Sequence, residues 1–571
     1  MDLSDLKLDL SAVKQDILEG IYQCSERGLF QSQKWLSELN FALNHVQLPP
    51  KSLPQPFDSS DNEYSTFLLA KSYFNIKEYD RCGHFVRNCT SSKCRFIYFY
   101  ANYLSIEKRK LDNMTETNCR PDSIQNEEMK TLCAELKNNF YENKLDGFCS
   151  YLYGIVLKKL GLRSLAVDVF LKAIQDEPIL WSSWFELGKL MCDKYNDIFN
   201  QLPDHWMKYF FFAHTYLEQL NNDEALEIYQ KLSDMGFEQN TYIMSQIALG
   251  FHNNRKLVEA IQMFRKILEI DPFRLDNLDI YSNLLYVLEN KTELANLAHT
   301  VVTIDKYRVE TCCVIGNYYS LRSDHSKAVL YFKRALKLNP QFLSAWTLMG
   351  HEYMEMKNIN AAIQSYRYAT EINARDYRAW YGLGQTYEIL KMPFYSLYYY
   401  KQAQMLRPND SRMIIALGET YERLDRQENA LKCYYKAYSV GDVEGSALIK
   451  LAKLYDKLND IENSAAVFIE YCLREEEKKD KIAEEQPEYY NALQYLANYY
   501  LRKGHLDDAY TYAYKCIECE ETKEQGKALL KAIAAKRIEQ DDLDLIQEVN
   551  ISIIPENTSK NDASGMDITF E

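Results

Sequence analysis

Glycine and proline are scarce in this chain, at 19 and 13 of 571 residues. A turn-rich all-β protein, a collagen-like chain or a linker protein needs far more of both, so those classes are excluded. The glycine motifs of nucleotide and hydrolase sites are missing too. No GxxxxGK[ST] occurs, no GxGxxG opens a helix after a strand, and there is no GxSxG. Histidine is rare at nine residues, with no pair at ligand spacing on one helix. His351-Glu352 starts like HExxH, but the fifth residue is Glu355. Cys516 and Cys519 form a lone CxxC without a second Cys/His pair at matching distance, which favours helix packing over zinc. Catalysis needs convergent groups. The chain is therefore expected to be non-catalytic, with no cofactor and no metal.

Excess positive charge is also lacking. The balance is 67 Lys and Arg against 82 Asp and Glu, a net −15, with pI near 5.3. Such a surface repels phosphate backbones, so nucleic acid is not expected as a partner. No apolar run reaches the length of a membrane span; the densest, Phe96 to Leu104, is short and tyrosine-rich. The start, MDLSDLKLDLSAVKQ, has neither the basic beginning nor the apolar core of a signal peptide. Fourteen cysteines in that context read as reduced, mostly buried thiols. The expected location is the nucleus and cytoplasm, away from any membrane.

Tyrosine is abundant instead, at 45 residues. Self-comparison explains it. Gly316, Gly350, Gly384, Gly418 and Ala452 are each 34 residues apart, and three residues after each stands Tyr319, Tyr353, Tyr387, Tyr421 and Tyr455. Small residues follow at Ala328, Ala362, Ser396, Ala430 and Ser464, then aromatics at Phe332, Tyr366, Tyr400, Tyr434 and Phe468. Ala335, Ala369, Ala403 and Ala437 come next, and Pro340 and Pro408 close two units. With leading Trp346 and Trp380, this is the tetratricopeptide pattern. Each unit holds two helices with apolar residues at i, i+3, i+4 and i+7. Small columns let the helices approach, and aromatics fill the space beside them. One pair cannot cover its own apolar face, so the units must stack into an all-α superhelix, an α-solenoid with a concave inner surface.

The period weakens upstream. Ala248, Phe251, Ala260 and Phe264 make a good unit, as do Ala213, Tyr216, Ala225 and Tyr229, and Gly154, Ala166, Phe170 and Ala173. The units around Tyr281 and Trp184 are degenerate. Four segments result: divergent helical repeats over 1–145, partly degenerate repeats over 146–307, regular repeats over 308–538 and an acidic, disordered tail over 539–571. Within them, residues 107–130 read as a polar loop, a charged insert falls near 473–488, and prolines 49, 50, 54 and 56 break the first helical stretch after about Leu43.

Aromatic clusters at Phe96–Tyr100, Tyr209–Phe212 and Phe394–Tyr400 could stack single-stranded bases. Packing is preferred, because the acidic balance opposes such a site. The groove is more informative. Asn317, His351, Gln385 and Glu419 directly follow the Gly column, Tyr318 and Glu352 stand beside the first two, and Tyr381 lies one turn earlier than Gln385. Amides, imidazole, carboxylates and tyrosine together suit an extended peptide carrying an Arg. A solvated polar helix face would look the same. A co-chaperone-like clamp for a terminal carboxylate needs cations, and here Glu352, Glu388 and Glu419 have the wrong sign; Arg378 and Arg412 are the exceptions that keep this alternative open.

Longer strings resemble subunit 8 of the anaphase-promoting complex, the cell division cycle protein 23 family. They are WTLMGHEYMEMKN (346–358), DYRAWYGLGQTYEILKMPFYSLYYYKQA (376–403), LRPNDSRM (406–413) and GDVEGSALIKLAKLY (441–455), supported by GNYYSLRSDHSKA (316–328) and GKALLKAI (526–533). The resemblance implies a non-catalytic scaffold in a cullin–RING ubiquitin ligase controlling mitotic progression. It implies homodimerisation through the N-terminal repeats, contacts with platform and sister tetratricopeptide subunits, and a C-terminal groove for an Arg-containing box of activator proteins. Asn317 and Glu352 carry over to that groove. The alternative is a tetratricopeptide adaptor or co-chaperone for another peptide, and more remotely an enzyme with an unrecognised site in residues 1–140.

Overall fold

The computed structural model describes residues 8–43, 45–46, 63–117, 127–191, 201–442, 445–479, 487–517 and 522–551. Among these the regular structure is helical, without strands. The chain divides into two compact units, residues 1–321 and 322–571.

In the second unit the helices pair as the 34-residue period requires: Leu343–Glu355 with Ile359–Ile372, Tyr377–Ile389 with Pro393–Leu406, and Ser411–Arg423 with Gln427–Gly441. The small column has a steric cause. A Cβ added to Gly350 would lie 2.5 Å from the Tyr366 ring, and one on Gly418 would lie 2.5 Å from Tyr434. Gly154 stands in the same relation to Phe170 in the first unit, at 2.6 Å. The leading tryptophans each close a loop: Nε1 of Trp346 donates to the Pro340 carbonyl at 2.9 Å, and that of Trp380 to Ala374 at 2.8 Å. Ser396 and Ser464 do more than keep the small column small. Their hydroxyls donate to the carbonyls of Gly384 and Ala452, both at 3.0 Å, tying the second helix to the first.

The turns inside the hairpins carry a feature with no sequence signal. Arg255, Glu289, Ser323, Lys357, Lys391, Asp425 and Asn459 lie 34 residues apart and all have φ between 52° and 63°. The left-handed region favours glycine, yet one of the seven is even an asparagine and the rest are neither. All but Ser323 show the paired closing bonds of a Schellman turn. Lys391 N–H donates to Glu388 and Met392 N–H to Tyr387, both at 2.9 Å, so the Tyr column's carbonyl receives the closing bond.

The first unit departs from simple stacking. The hairpin Leu10–Glu26 and Phe30–Ala42 packs against residues far along the chain. Trp35 stacks on Trp181 at 4.6 Å and meets Phe210 and Tyr242 edge-on at 5.6 and 5.7 Å. Asn240 Nδ2 donates to the Glu38 carbonyl at 3.2 Å, and Lys34 pairs with Asp276 at 2.5 Å.

Several expectations change. Most of 107–130 is helix, since Ser92–Thr117 and Glu127–Tyr141 enter it from both sides; 118–126 lie outside the described residues. Lys108, Arg109 and Asp112 on the first helix and Glu127, Glu128 and Lys130 on the second are exposed polar faces, which the loop reading mistook for a break in structure. Helix Ile461–Lys479 runs into the charged insert, whose residues 480–486 are outside the description. Helix Lys523–Ile551 continues past the point where the repeat ends; the tail from 552 and the prolines at 49–56 are also outside it. Phe96, Phe99 and Phe210–Phe212 are buried as packing predicts. In the third cluster Leu397 and Tyr400 are buried, but Phe394, Tyr395 and Tyr398 face solvent because they fall on the outer side of their helix.

Candidate functional site

In the first unit, Asn317 is on helix Val309–Leu321 and buried. Its Nδ2 donates to Ser282 Oγ at 2.8 Å and Asn283 Oδ1 at 2.7 Å, so its amide is committed to the neighbouring repeat. Tyr318 is half-buried against His299 and Tyr319.

In the second unit, Glu352 is the residue the helix geometry singles out. Its carboxylate is only 7% exposed and Oε2 lies 2.9 Å from His325 Nδ1, on the opening helix of this unit. A carboxylate kept this far from water needs such a partner. Its neighbour His351 has an exposed ring whose Nδ1 is 2.8 Å from the Tyr366 hydroxyl. Surrounding protein, then the positive charge of Arg378, hold its pKa below the usual histidine range.

Tyr381 is half-buried beside Tyr400, with ring centroids 5.4 Å apart. Burial raises its pKa, opposed by Arg412 and reinforced by Glu388 and Glu419, so cation and carboxylates both lie within reach of one ring. Glu419 is paired with Lys450 at 2.9 Å. Gln385 is partly exposed on the same helix as Tyr381, one turn on. Glu388 accepts from Tyr400 and pairs with Arg423, both at 2.6 Å. The candidate carboxylates thus arrive with partners already: His325 for Glu352, Lys450 for Glu419, Arg423 for Glu388. None of these three partners was singled out from the sequence, because each sits on a different repeat from its carboxylate.

Metal chemistry has a single candidate among the described residues, Glu63, Cys89 and Cys94, whose ligand atoms lie within 4.8 Å of one another. The Glu63 oxygens already accept from Thr90 and Ser91 N–H groups at 2.9 Å, which holds the start of helix Ser92–Thr117. Burial, and then the Glu63 charge, push the Cys89 thiol up. Glu63 is thus already engaged as a helix anchor. Cys516 is buried, which pushes its thiol up to about 11. Its CxxC partner Cys519 lies outside the described residues.

Paired helices, the glycine–aromatic contact and the repeated turns define a tetratricopeptide-repeat α-solenoid protein. Tetratricopeptide repeat models match residues 309–342, 350–389 and 411–440. The family model described as anaphase promoting complex subunit 8 / Cdc23 matches residues 12–248. Anaphase-promoting complex subunit 8 of Dictyostelium discoideum is 40% identical over 397 residues, 59% of this chain and 67% of that protein. The cell division cycle protein 23 homolog of Homo sapiens is 51% identical over 299 residues, 52% of this chain and 50% of that protein. The chain belongs to the anaphase-promoting complex subunit 8 / Cdc23 family. The crystal structure of the APC/C hetero-tetramer Cut9–Hcn1 aligns at a TM-score of 0.56 over 90% of this chain and 95% of that one; at 17% identity this is a likeness of fold.

Proposed function

We propose that this chain is a non-catalytic scaffold subunit of the anaphase-promoting complex, a cullin–RING ubiquitin ligase of mitotic progression, working in the nucleus and cytoplasm. The identity with the Dictyostelium and human relatives carries this reading. Its repeats hold platform and sister tetratricopeptide subunits. The second unit receives an Arg-containing box of an activator at Glu352, with His351, Tyr381, Gln385 and Glu419 along the peptide. The 7%-exposed Glu352 carboxylate supports that role, since a guanidinium can form two short bonds to it where water competes poorly.

Homodimerisation belongs to the same proposal, through the N-terminal repeats. Phe96 to Tyr100 does not supply the contact, because Phe96, Ile97 and Phe99 are covered within the chain. Exposed Phe30 and Phe41 at the two ends of one helix supply apolar surface instead.

The test has two parts. Purification of the tagged chain from dividing cells should bring down cullin-like and RING subunits; heat-shock chaperones in their place would overturn the scaffold reading. Titration of a fluorescent Arg-containing activator peptide should show Glu352→Gln weakening binding by about 2–5 kcal/mol, well over tenfold. Undiminished affinity would remove Glu352 from the peptide path.

A further inference from the structure

The surface just described is acidic, but a second cluster in the same unit has the opposite sign. Arg407, in the link between helices Pro393–Leu406 and Ser411–Arg423, lies with its guanidinium carbon 4.2 Å from the centre of the Tyr377 ring. Arg378 approaches the same ring at 5.9 Å. Arg407 Nη1 and Arg412 Nη2 converge on Asp410 Oδ2, at 4.0 and 3.4 Å.

The two carboxylates beside these cations each have a second duty. Asp376 and Asp410 each accept the backbone N–H two residues on, at 3.1 Å, and serve as the caps of helices Tyr377–Ile389 and Ser411–Arg423. Arg378, Arg407 and Arg412 thus gather next to the positive ends of these two helices. The surroundings register this gathering of positive charge. Burial would raise the Tyr377 hydroxyl, but Arg378, Arg407 and Arg412 hold it below its ordinary value. Burial, joined by Arg378 and Arg412, also lowers Arg407 itself, against the pull of Tyr377 and Asp410.

One group is left without a bond. Arg407 is 13% exposed, and its Nε is buried with no hydrogen-bond partner among the described residues. Arg412, at 45% exposed, opens the cluster to solvent. A planar guanidinium fork matches a carboxylate or phosphate, and an incoming anion would relieve the crowding of like charge.

We propose that Arg378, Arg407, Arg412 and Tyr377 form an anion subsite that takes a carboxylate or phosphate group carried by a bound peptide. It stands whether or not an Arg box binds at Glu352.

The full-length chain would be titrated by fluorescence anisotropy with short labelled Gly/Ser peptides. They are amide-capped and differ at one central residue, Ser, Asp or phosphoserine; a further peptide ends in a free carboxylate. At least one anionic peptide should bind about tenfold or more tighter than the capped Ser peptide. Preference for phosphoserine alone identifies phosphate as the source; preference for Asp or the free terminus identifies a carboxylate. Arg412→Gln should erase most of that preference and Arg407→Gln more, while Lys432→Gln, exposed on another helix, should not. Equal binding of all peptides overturns the proposal, as does an anion preference retained by Arg412→Gln. Should Arg407→Gln fail to fold by circular dichroism, Arg412→Gln decides alone.

Discussion

Gly350 and Tyr366 are built around each other: the backbone of one fills the space that the ring of the other leaves, and Gly382 closes on the same ring from the next repeat. A Cβ at Gly350 would sit 2.5 Å from Tyr366 and one at Gly382 would sit 2.6 Å away. Overpacking a core costs about 1–3 kcal/mol, against a gain of about 1 kcal/mol from replacing a helical Gly by Ala. At such distances the clash wins. Gly350→Ala should lower stability by roughly 1–2 kcal/mol, and Tyr366→Leu should recover part of it in the double variant. Urea denaturation of the single and double variants measures this, and a stabilised Gly350→Ala would refute the account.

The left-handed turn residues predict the reverse sign. Lys391 has φ of 58°, in a turn whose neighbours leave no freedom to relax. Lys391→Gly should raise stability by about 0.5–1 kcal/mol, less than the full left-handed strain because glycine also enlarges the unfolded ensemble. Lys391→Val should lower it. The shift of the urea midpoint reads both.

His214 sets an acid limit on the first unit. It is 7% exposed, lies 5.2 Å from the Phe185 ring and 6.1 Å from Trp181, and neither ring nitrogen has a hydrogen-bond partner among the described residues. Burial, then the charge of Lys189, lowers its pKa to about 4. The unfolded chain, with a pKa of about 6.5, therefore binds the extra proton first. The stability this neutral ring contributes is complete above pH 6.5 and is lost as pH falls through 4, by up to about 3 kcal/mol. In His214→Phe, the fall in stability between pH 7 and pH 5 should be smaller than in the parent chain. Equal slopes in the two proteins would contradict it.

The Glu419–Lys450 pair bears on the peptide site. If an activator Arg uses Glu419, it competes with a lysine 2.9 Å away. A partly exposed pair contributes about 0–1 kcal/mol, so Lys450→Ala should tighten an Arg-containing peptide by up to about fivefold. The gain should shrink as salt rises. Weaker binding by Lys450→Ala at low salt would place the peptide elsewhere.

The repeat was legible because its columns are packing positions. Gly350, Tyr366 and Ala369 recur wherever two helices must meet, and a period of 34 survives any surface variation. The turns were not legible, since Lys357, Lys391 and Arg255 take a glycine's conformation without its composition. Offsets from the Gly column put Glu352 and Glu419 among the candidates, but not His325 or Lys450, whose partnership depends on stacking between repeats. Arg407 was invisible for a similar reason: it stands outside the repeat columns and acquires meaning only beneath Tyr377. For Phe394, Tyr395 and Tyr398 the composition suggested burial, while the helix turned them outward.

The contact between Trp35 and Trp181 has a consequence for synthesis. The two rings are separated by 181 − 35 = 146 residues of chain, yet they stack at 4.6 Å. At a typical 5–20 residues per second, the first tryptophan leaves the ribosome roughly 7–30 s before its partner is made. Throughout that interval Trp35 lacks the rings it packs against, although Leu36 already has Gly20 of the preceding helix beside it, and later repeats, which pack mostly on their neighbours, can fold as they emerge. The nascent chain therefore presents Trp35 to chaperones until the helix that carries Trp181 has been made.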